Sequence, residues 1–422
     1  MLVRFAVKNY KSFNEEAELS MAVSSLKETF QLPTQAVWEV NNNFSLLPVA
    51  AIYGANASGK SNLIDAMAMM RYFIQTSFAK ENVEDKIPME PFMLSTETED
   101  KGTELEISFV MGDKLFRYGF SVTKEKILEE WLYEKILKER GKEKELFYRE
   151  GDTLNYHSTL FKVGRLIKEQ NLAKSTVLIF TLAYQLNDEI VKEAMQWLLQ
   201  FNILLGHRDE DFGEFSARQI FEHTSIENEI QGLMRFADTN IKKLSSDIVL
   251  DQRVIMTHHT KFNANKEAVG ECKFMLSSQQ SEGTKKLFNL SGPIFHTLRS
   301  GGVLVLDELD CKLHPNLMEM LVRMFQDKHV NSRRAQLLFA THNTNLLGAK
   351  LLRRDQVWIT EKNQYGATEL YSIADYKTDK GKARNTEAIE QNYIDGKYGG
   401  VPFLGDLENF LEQYRNEQES AA

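Results

Sequence analysis

Leu46-Leu47-Pro48-Val49-Ala50-Ala51-Ile52-Tyr53 runs directly into Gly54-Ala55-Asn56-Ala57-Ser58-Gly59-Lys60-Ser61, an apolar strand followed by a loop that fills every fixed position of the phosphate-binding P-loop. Gly54 and Gly59 let such a loop turn tightly and aim backbone N–H groups at phosphate oxygens. The helix that follows contributes the positive end of its dipole, Lys60 reaches the β- and γ-phosphates, and Ser61 offers a hydroxyl to Mg²⁺. Leu63, Met67, Met70 and Ile74 recur at helical spacing, with Asp65 and Arg71 off that stripe. Strand, glycine loop and amphipathic helix thus occur in the order that a nucleoside triphosphate site requires.

A chain of 422 residues with 42% hydrophobic and 10% aromatic content suffices for a large core, in two domains or in one with a substantial insertion. A net charge of −9 argues against a protein that coats nucleic acid by bulk electrostatics and leaves room only for a local basic patch. The basic stretch Lys135 to Lys144 is interleaved with Glu139 and Glu143 and reads as a solvated helix or hairpin face. Cys272 and Cys311 are the only cysteines, which fits a reducing compartment and excludes a disulfide framework or a cysteine zinc site. The N-terminus lacks a signal-peptide core, and apolar runs such as Val177 to Tyr184 are too short to span a bilayer. A cytoplasmic location is the expectation.

The segment Leu2 to Ala22 suggests strand, turn and strand. Beyond the P-loop helix, Lys80 to Lys101 is polar and turn-rich, and Leu105–Phe109 and Phe116–Val122 alternate like paired strands, in a β-rich lobe that ends near Tyr156. From Lys162 to about Asn240 the pattern is helical, with Ile190, Val191, Ala194, Trp197, Leu198 and Phe201 on one stripe, and Val249 to Leu276 returns to strand-like composition. No heptad pattern persists, so no coiled-coil arm is expected. The expected division is 1–160 for an N-terminal ATPase lobe with the P-loop and β-rich part, 161–270 for a mainly helical insertion, and 271–422 for a C-terminal ATPase lobe.

The C-terminal part carries the second half of the site. Gly301-Gly302 introduces Val303-Leu304-Val305-Leu306-Asp307-Glu308, four aliphatic residues closing on two acids, as expected of a buried parallel strand that ends at a ligand. In this Walker B pattern Asp307 is suited to hold Mg²⁺ and Glu308 to polarise the attacking water. Ser281-Glu282-Gly283-Thr284 precedes an amphipathic helix and makes a second helix-terminus anion site. One γ-phosphate has no need of two such sites in a single subunit. Leu337–Ala340 forms a further strand and delivers His342 to the sheet edge where Asp307 sits, placed to sense the γ-phosphate. His314-Pro315 reads as the cap and first turn of a helix bearing Leu317, Met320, Leu321 and Met324, and His258-His259 as solvated.

The order of these motifs resembles the ABC-type ATPases of the SMC, RecF and OLD group, and more closely the stand-alone bacterial AAA/ABC-like ATPases typified by RloA. The likeness rests also on Asn9-Tyr10-Lys11-Ser12-Phe13, Asp307-Glu308-Leu309-Asp310 with Leu313-His314-Pro315, Thr341-His342-Asn343-Thr344-Asn345-Leu346-Leu347, and Gly396-Lys397-Tyr398-Gly399-Gly400-Val401-Pro402-Phe403-Leu404. It implies an α/β fold, an ABC-type P-loop NTPase head with a mixed central sheet, an N-terminal β-rich lobe and an inserted helical subdomain. It also implies ATP and Mg²⁺ as cofactors, with Gly54, Asn56, Gly59, Lys60, Ser61 and Asn62 at the nucleotide and Ser61 and Asp307 at the metal. Glu308, His342 and Lys60 would be the catalytic set. In that group two heads sandwich two ATP molecules, so Ser281 and Gly283 would contact the partner's nucleotide and Leu309-Asp310 would be a loop crossing the dimer interface. Glu282 and Thr284 depart from the L-S-G-G-Q of transporter ATPases, which argues against a transporter. Gln170 is a weak candidate for the Q-loop.

The resemblance further implies a homodimer or higher homo-oligomer that controls a separate Toprim-like, HNH or other toxic effector in anti-phage defence. The alternative is a RecF/SMC-like ATPase of DNA repair or maintenance that closes on DNA. The chain itself offers no convincing nuclease: no metal-binding carboxylate set stands out among Glu361, Asp375 and Asp379.

Overall fold

The computed structural model describes residues 1–25, 37–41, 44–78, 86–138, 141–205, 209–238, 240–249, 252–349, 351–378, 381–382, 388–402, 411–412 and 414. Phe403 and Leu404 of the C-terminal motif, Asp379, Glu139 and residues 80–85 lie outside the described residues.

The strand Val49–Gly54 is buried on both faces because its side chains alternate between two cores: Val49, Ala51 and Tyr53 enter one, Ala50 and Ile52 the other. The strands Val303–Leu306 and Gln336–Ala340 divide in the same way, with Val305 and Leu338 on one side and Leu304 and Phe339 on the other. Runs this apolar can be satisfied only in the middle of a sheet covered on both faces. That sheet has six strands in the order Phe201–Leu204, Val303–Leu306, Gln336–Ala340, Val49–Gly54, Val357–Lys362 and Thr368–Ser372. The first five are parallel and the last is antiparallel. The helix Lys60–Thr76 covers one face, and Glu282–Ser300 with Pro315–Gln326 covers the other. The fold is α/β, with a mixed central sheet whose fourth strand runs into the glycine loop and the helix after it. The longest helix among the described residues is Glu282–Ser300, so no long coiled coil is present among them.

The N-terminal β-rich lobe is a seven-stranded antiparallel sheet in the order Thr153–Tyr156, Lys144–Glu150, Ile127–Ile136, Lys114–Val122, Thr103–Met111, Leu2–Lys8 and Ala17–Ser20. It packs on the P-loop helix, where Phe73 meets Phe120 edge-on at 5.4 Å and Leu63, Met67, Met70 and Ile74 are buried as their spacing predicts. Glu130 fastens this lobe to the helix Ile179–Gln185: its fully buried carboxylate accepts the Ile179 and Phe180 N–H groups at 2.7 and 2.9 Å and the Tyr118 hydroxyl at 3.0 Å. Burial pushes the Glu130 carboxyl up to about 7, against those N–H groups and the Arg149 charge. Glu130→Ala orphans three buried donors and is expected to lower stability by about 3 kcal/mol in denaturant unfolding. Because the folded-state value is raised, this group's own contribution is full below its unfolded value of 4.5 and falls as pH rises through about 7. The stability gap between the unaltered protein and Glu130→Ala should narrow over that window.

Three sequence expectations need correction. Phe201 does not extend the helical stripe: the helix is Glu189–Leu199, capped by Asp188, and Phe201 begins a strand paired in parallel with Val303–Leu306. Its ring still stacks near Trp197 at 5.9 Å, so the side-chain neighbour was legible and the change of backbone was not. The helix Pro315–Gln326 starts as predicted, with Pro315 in its first turn and the His314 ring accepting the Asn316 N–H at 3.2 Å. Its buried face is Met318, Leu321, Val322 and Phe325, one residue round from the expected stripe; an apolar arc this wide fits either register. His258 is buried, not solvated, in the middle strand of the sheet Ile241–Val249, Gln252–Phe262 and Ala268–Met275. Its ring bonds Ser245 Oγ at 2.7 Å and Glu271 at 3.2 Å, which removes the cost of burying it.

Candidate nucleotide site

The carboxyl ends of three adjacent parallel strands converge on one cleft. The strand ending at Thr341-His342 lies between the P-loop strand and the strand ending at Asp307, so each delivers its loop to the same sheet edge. The cleft is about 350 Å³ and is lined by Asn56, Ala57, Lys60 and Ser61 from the first loop, Asp307 and Glu308 from the second, and Ala340, Thr341 and His342 from the third.

The loop geometry is specific. Ala57 has φ 61° and Gly59 φ 115°, left-handed conformations that turn successive backbone N–H groups inward ahead of the helix. A side chain at Gly59 would also collide with Thr368. The Lys60 ammonium is buried and donates to the Gly54 and Ala55 carbonyls, both at 2.9 Å. Burial pushes its pKa down, and Asp307, Asp310 and Glu308 pull it back up.

On the facing side, Glu308 holds a non-glycine left-handed backbone at φ 51°, a strained conformation of about 1–3 kcal/mol that clusters at functional sites. Leu309 secures the turn by donating its N–H to the Ala340 carbonyl at 3.2 Å, and Asp310 accepts the His342 N–H at 3.0 Å. These two bonds tie the loop after Glu308 to the loop bearing His342. Burial and the nearby Lys60 charge lower the His342 pKa, outweighing Asp310, Glu308 and Asp307, so the ring is neutral at pH 7.

Asp307 Oδ1 is buried and has no hydrogen-bond partner among the described residues. A buried, unpartnered carboxylate oxygen beside a serine hydroxyl is a donor set that fits a hard divalent cation. Asp307 and Ser61 would hold Mg²⁺ here, and a bound Mg²⁺ would supply charge neutralisation between phosphate oxygens.

Not every predicted residue lines this cleft. Asn62 turns away and donates to Ser12 Oγ at 2.7 Å. Gln170 ends the short helix Val163–Glu169, exposed and outside the lining. Ser281 and Gly283 are also outside it: Ser281 is exposed and caps the helix Glu282–Ser300 by accepting the Thr284 N–H at 3.2 Å. Glu282 ties that helix start to Lys312 at 2.9 Å, beyond the Asp307 loop. Glu361 lies 3.0 Å from the Tyr371 hydroxyl, and no metal-holding acidic or histidine cluster occurs among the described residues.

Sequence reasoning missed the support behind the P-loop. Ser58 Oγ meets Thr360 Oγ1 at 2.6 Å, and Thr368 Oγ1 donates to the Ser58 carbonyl and accepts from Ser12 Oγ, both at 2.8 Å. Ser12 lies within the Asn9–Phe13 segment, where Tyr10 hydrogen-bonds Asp65 of the P-loop helix and Lys11 bridges it at 2.7 Å. The segment carried a family likeness; single threonines on polar strands carried no signal.

Residues 49–348 match the family model described as "AAA domain, putative AbiEii toxin, Type IV TA system". Among curated proteins, none matches the chain. Among solved structures the chain is similar to an SMC head domain from Thermotoga maritima, at 14% identity and TM-score 0.39 over 88% of this chain and 98% of that one. It is similar also to an SmcHead bound to the C-winged helix domain of ScpA, at 12% identity and TM-score 0.38 over 88% and 97%. A third is the recombination mediator RecF with ATP, at 12% and TM-score 0.28 over 88% and 97%.

Proposed function

The chain belongs to the AAA-domain family described by the putative AbiEii toxin of a type IV TA system, and from that membership we propose that it binds and hydrolyses ATP with Mg²⁺ at a site completed by a second copy of itself. The observation that carries the proposal is the convergence of Lys60, Ser61, Asp307, Glu308 and His342 on one cleft, where the buried Asp307 Oδ1 has no hydrogen-bond partner among the described residues. Lys60 and the P-loop N–H groups neutralise the phosphates, Asp307 and Ser61 position the metal, Glu308 accepts a proton from the attacking water, and the neutral His342 donates to the γ-phosphate. The exposed Ser281 helix start, absent from its own cleft, is the anion site offered to the partner's nucleotide, and Asp310 lies at the crossing.

ATP-driven dimerisation then switches an effector, a nuclease or toxin on a separate chain, in a cytoplasmic anti-phage or toxin–antitoxin system. The family description supports that setting, and the net charge of −9 gives no support to the alternative of a DNA-maintenance head.

Asp307→Asn tests this reading in two settings. It keeps the shape of the side chain but removes its negative charge toward the metal, so ATP turnover should fall at least about a hundredfold and demand more Mg²⁺. In cells carrying the chain with its neighbouring genes, the same variant should lose protection against phage. Turnover that ignores both the substitution and Mg²⁺ chelation would remove Asp307 and the metal from the reaction and overturn this site; unchanged phage plating with and without the chain would remove the defence role.

A further inference from the structure

The segment Gly396-Lys397-Tyr398-Gly399-Gly400-Val401-Pro402 lies outside residues 49–348, and the cleft does not contain it. It nevertheless reaches the P-loop from behind. Gly400, at φ 67°, packs so closely that a side chain there would overlap Ile359 and stand 3.5 Å from Gly54 Cα. Only a residue without a Cβ permits this approach in this conformation. Tyr393, in the helix Ile389–Ile394, is buried, and its hydroxyl donates to the Gly400 carbonyl at 3.2 Å. Its ring meets Tyr53, the residue before Gly54, edge-on at 5.6 Å. Tyr398, fully buried, secures the other side, where its carbonyl accepts the Tyr371 hydroxyl at 2.8 Å and its hydroxyl accepts from Asn392 at 3.1 Å.

We propose that Tyr393 is a positioning residue for the nucleotide: its hydroxyl holds the Gly400 backbone against Gly54 and so fixes the first glycine of the P-loop, making the C-terminal segment part of the ATP site. Gly54 sets where the loop leaves its strand, and every phosphate-facing N–H downstream inherits that position. A loop held in the binding conformation loses less freedom when phosphate arrives, so the hydroxyl acts on affinity rather than on the hydrolytic step. Fixing Gly54 from a segment near residue 400 also explains why glycines occur at 399 and 400, whose left-handed angles of 71° and 67° bring the chain back against the sheet.

The inference rests on the nucleotide reading, and its test separates the two. Tyr393→Phe removes one oxygen and keeps the ring packing. Two measurements are made on the full chain: amide hydrogen exchange across residues 54–61 without nucleotide, and ATP affinity with kcat. Exchange across the loop should quicken, ATP Kd should rise about threefold to tenfold, and kcat should be nearly unchanged. The thermal midpoint should move little, whereas a role in folding alone would lower it without singling out the loop. Loop exchange unaltered in Tyr393→Phe overturns the proposal. Failure of the unaltered protein to bind ATP removes the nucleotide reading, and the exchange measurement still decides whether Tyr393 holds Gly54.

Discussion

Replacing Glu308 by Gln lowers ATP turnover by about 10²–10⁴-fold, the contribution of a positioned general base, while ATP stays bound. Gln has the size of Glu and suits the same backbone at φ 51°, so the turn secured by Leu309 and Asp310 survives. Only the proton acceptor is lost. Lys60, Ser61 and Asp307 remain to hold the phosphates and metal, so the bound state accumulates instead of decaying. With ATP and Mg²⁺, light scattering should then report a dimer that persists, where the unaltered protein cycles back to monomer. The measurements are single-turnover hydrolysis, nucleotide retained after desalting, and molar mass. Undiminished hydrolysis would take Glu308 out of the catalytic role; hydrolysis lost together with ATP binding would show that the variant damaged the loop.

The parts of the fold legible from sequence are those where one pattern admits one structure. Val49–Gly54 and Val303–Leu306 are too apolar for anything but the sheet's middle, and the glycine loop and the acid pair mark their ligand ends. The pairing of Leu105–Phe109 with Phe116–Phe120 was equally readable from alternation. Phe201 failed because i, i+4 spacing places it beside Trp197 whether the chain stays helical or turns into a strand there. His258 failed because a histidine's burial depends on partners, here Ser245 and Glu271, that lie on two other strands. The support behind the P-loop failed for the same reason. Ser12 and Ser58 lie some three hundred residues from Thr360 and Thr368 in the chain, and each is unremarkable until the sheet brings them together. Motif spacing reports the groups that face phosphate, whereas the groups that hold them in place are chosen by tertiary contact.

The composite site makes the second large expectation. Lys60→Ala deletes the charge beneath the phosphates and should reduce turnover by at least about 10²-fold; its own Ser281, exposed and remote from its own cleft, is untouched. Ser281→Arg leaves the P-loop of its own subunit whole and places a bulky side chain at the helix start offered to the partner, so it should be inactive for the opposite reason. Mixed together, a Lys60→Ala subunit and a Ser281→Arg subunit form a dimer in which one cleft carries both defects and the other carries neither. ATP turnover of the mixture, measured against each variant alone, is the most direct test. About half of randomly mixed dimers hold one intact site of two, so the mixture should recover about a quarter of the unaltered rate. A mixture no faster than the two variants measured separately would contradict a site shared between two copies of this chain.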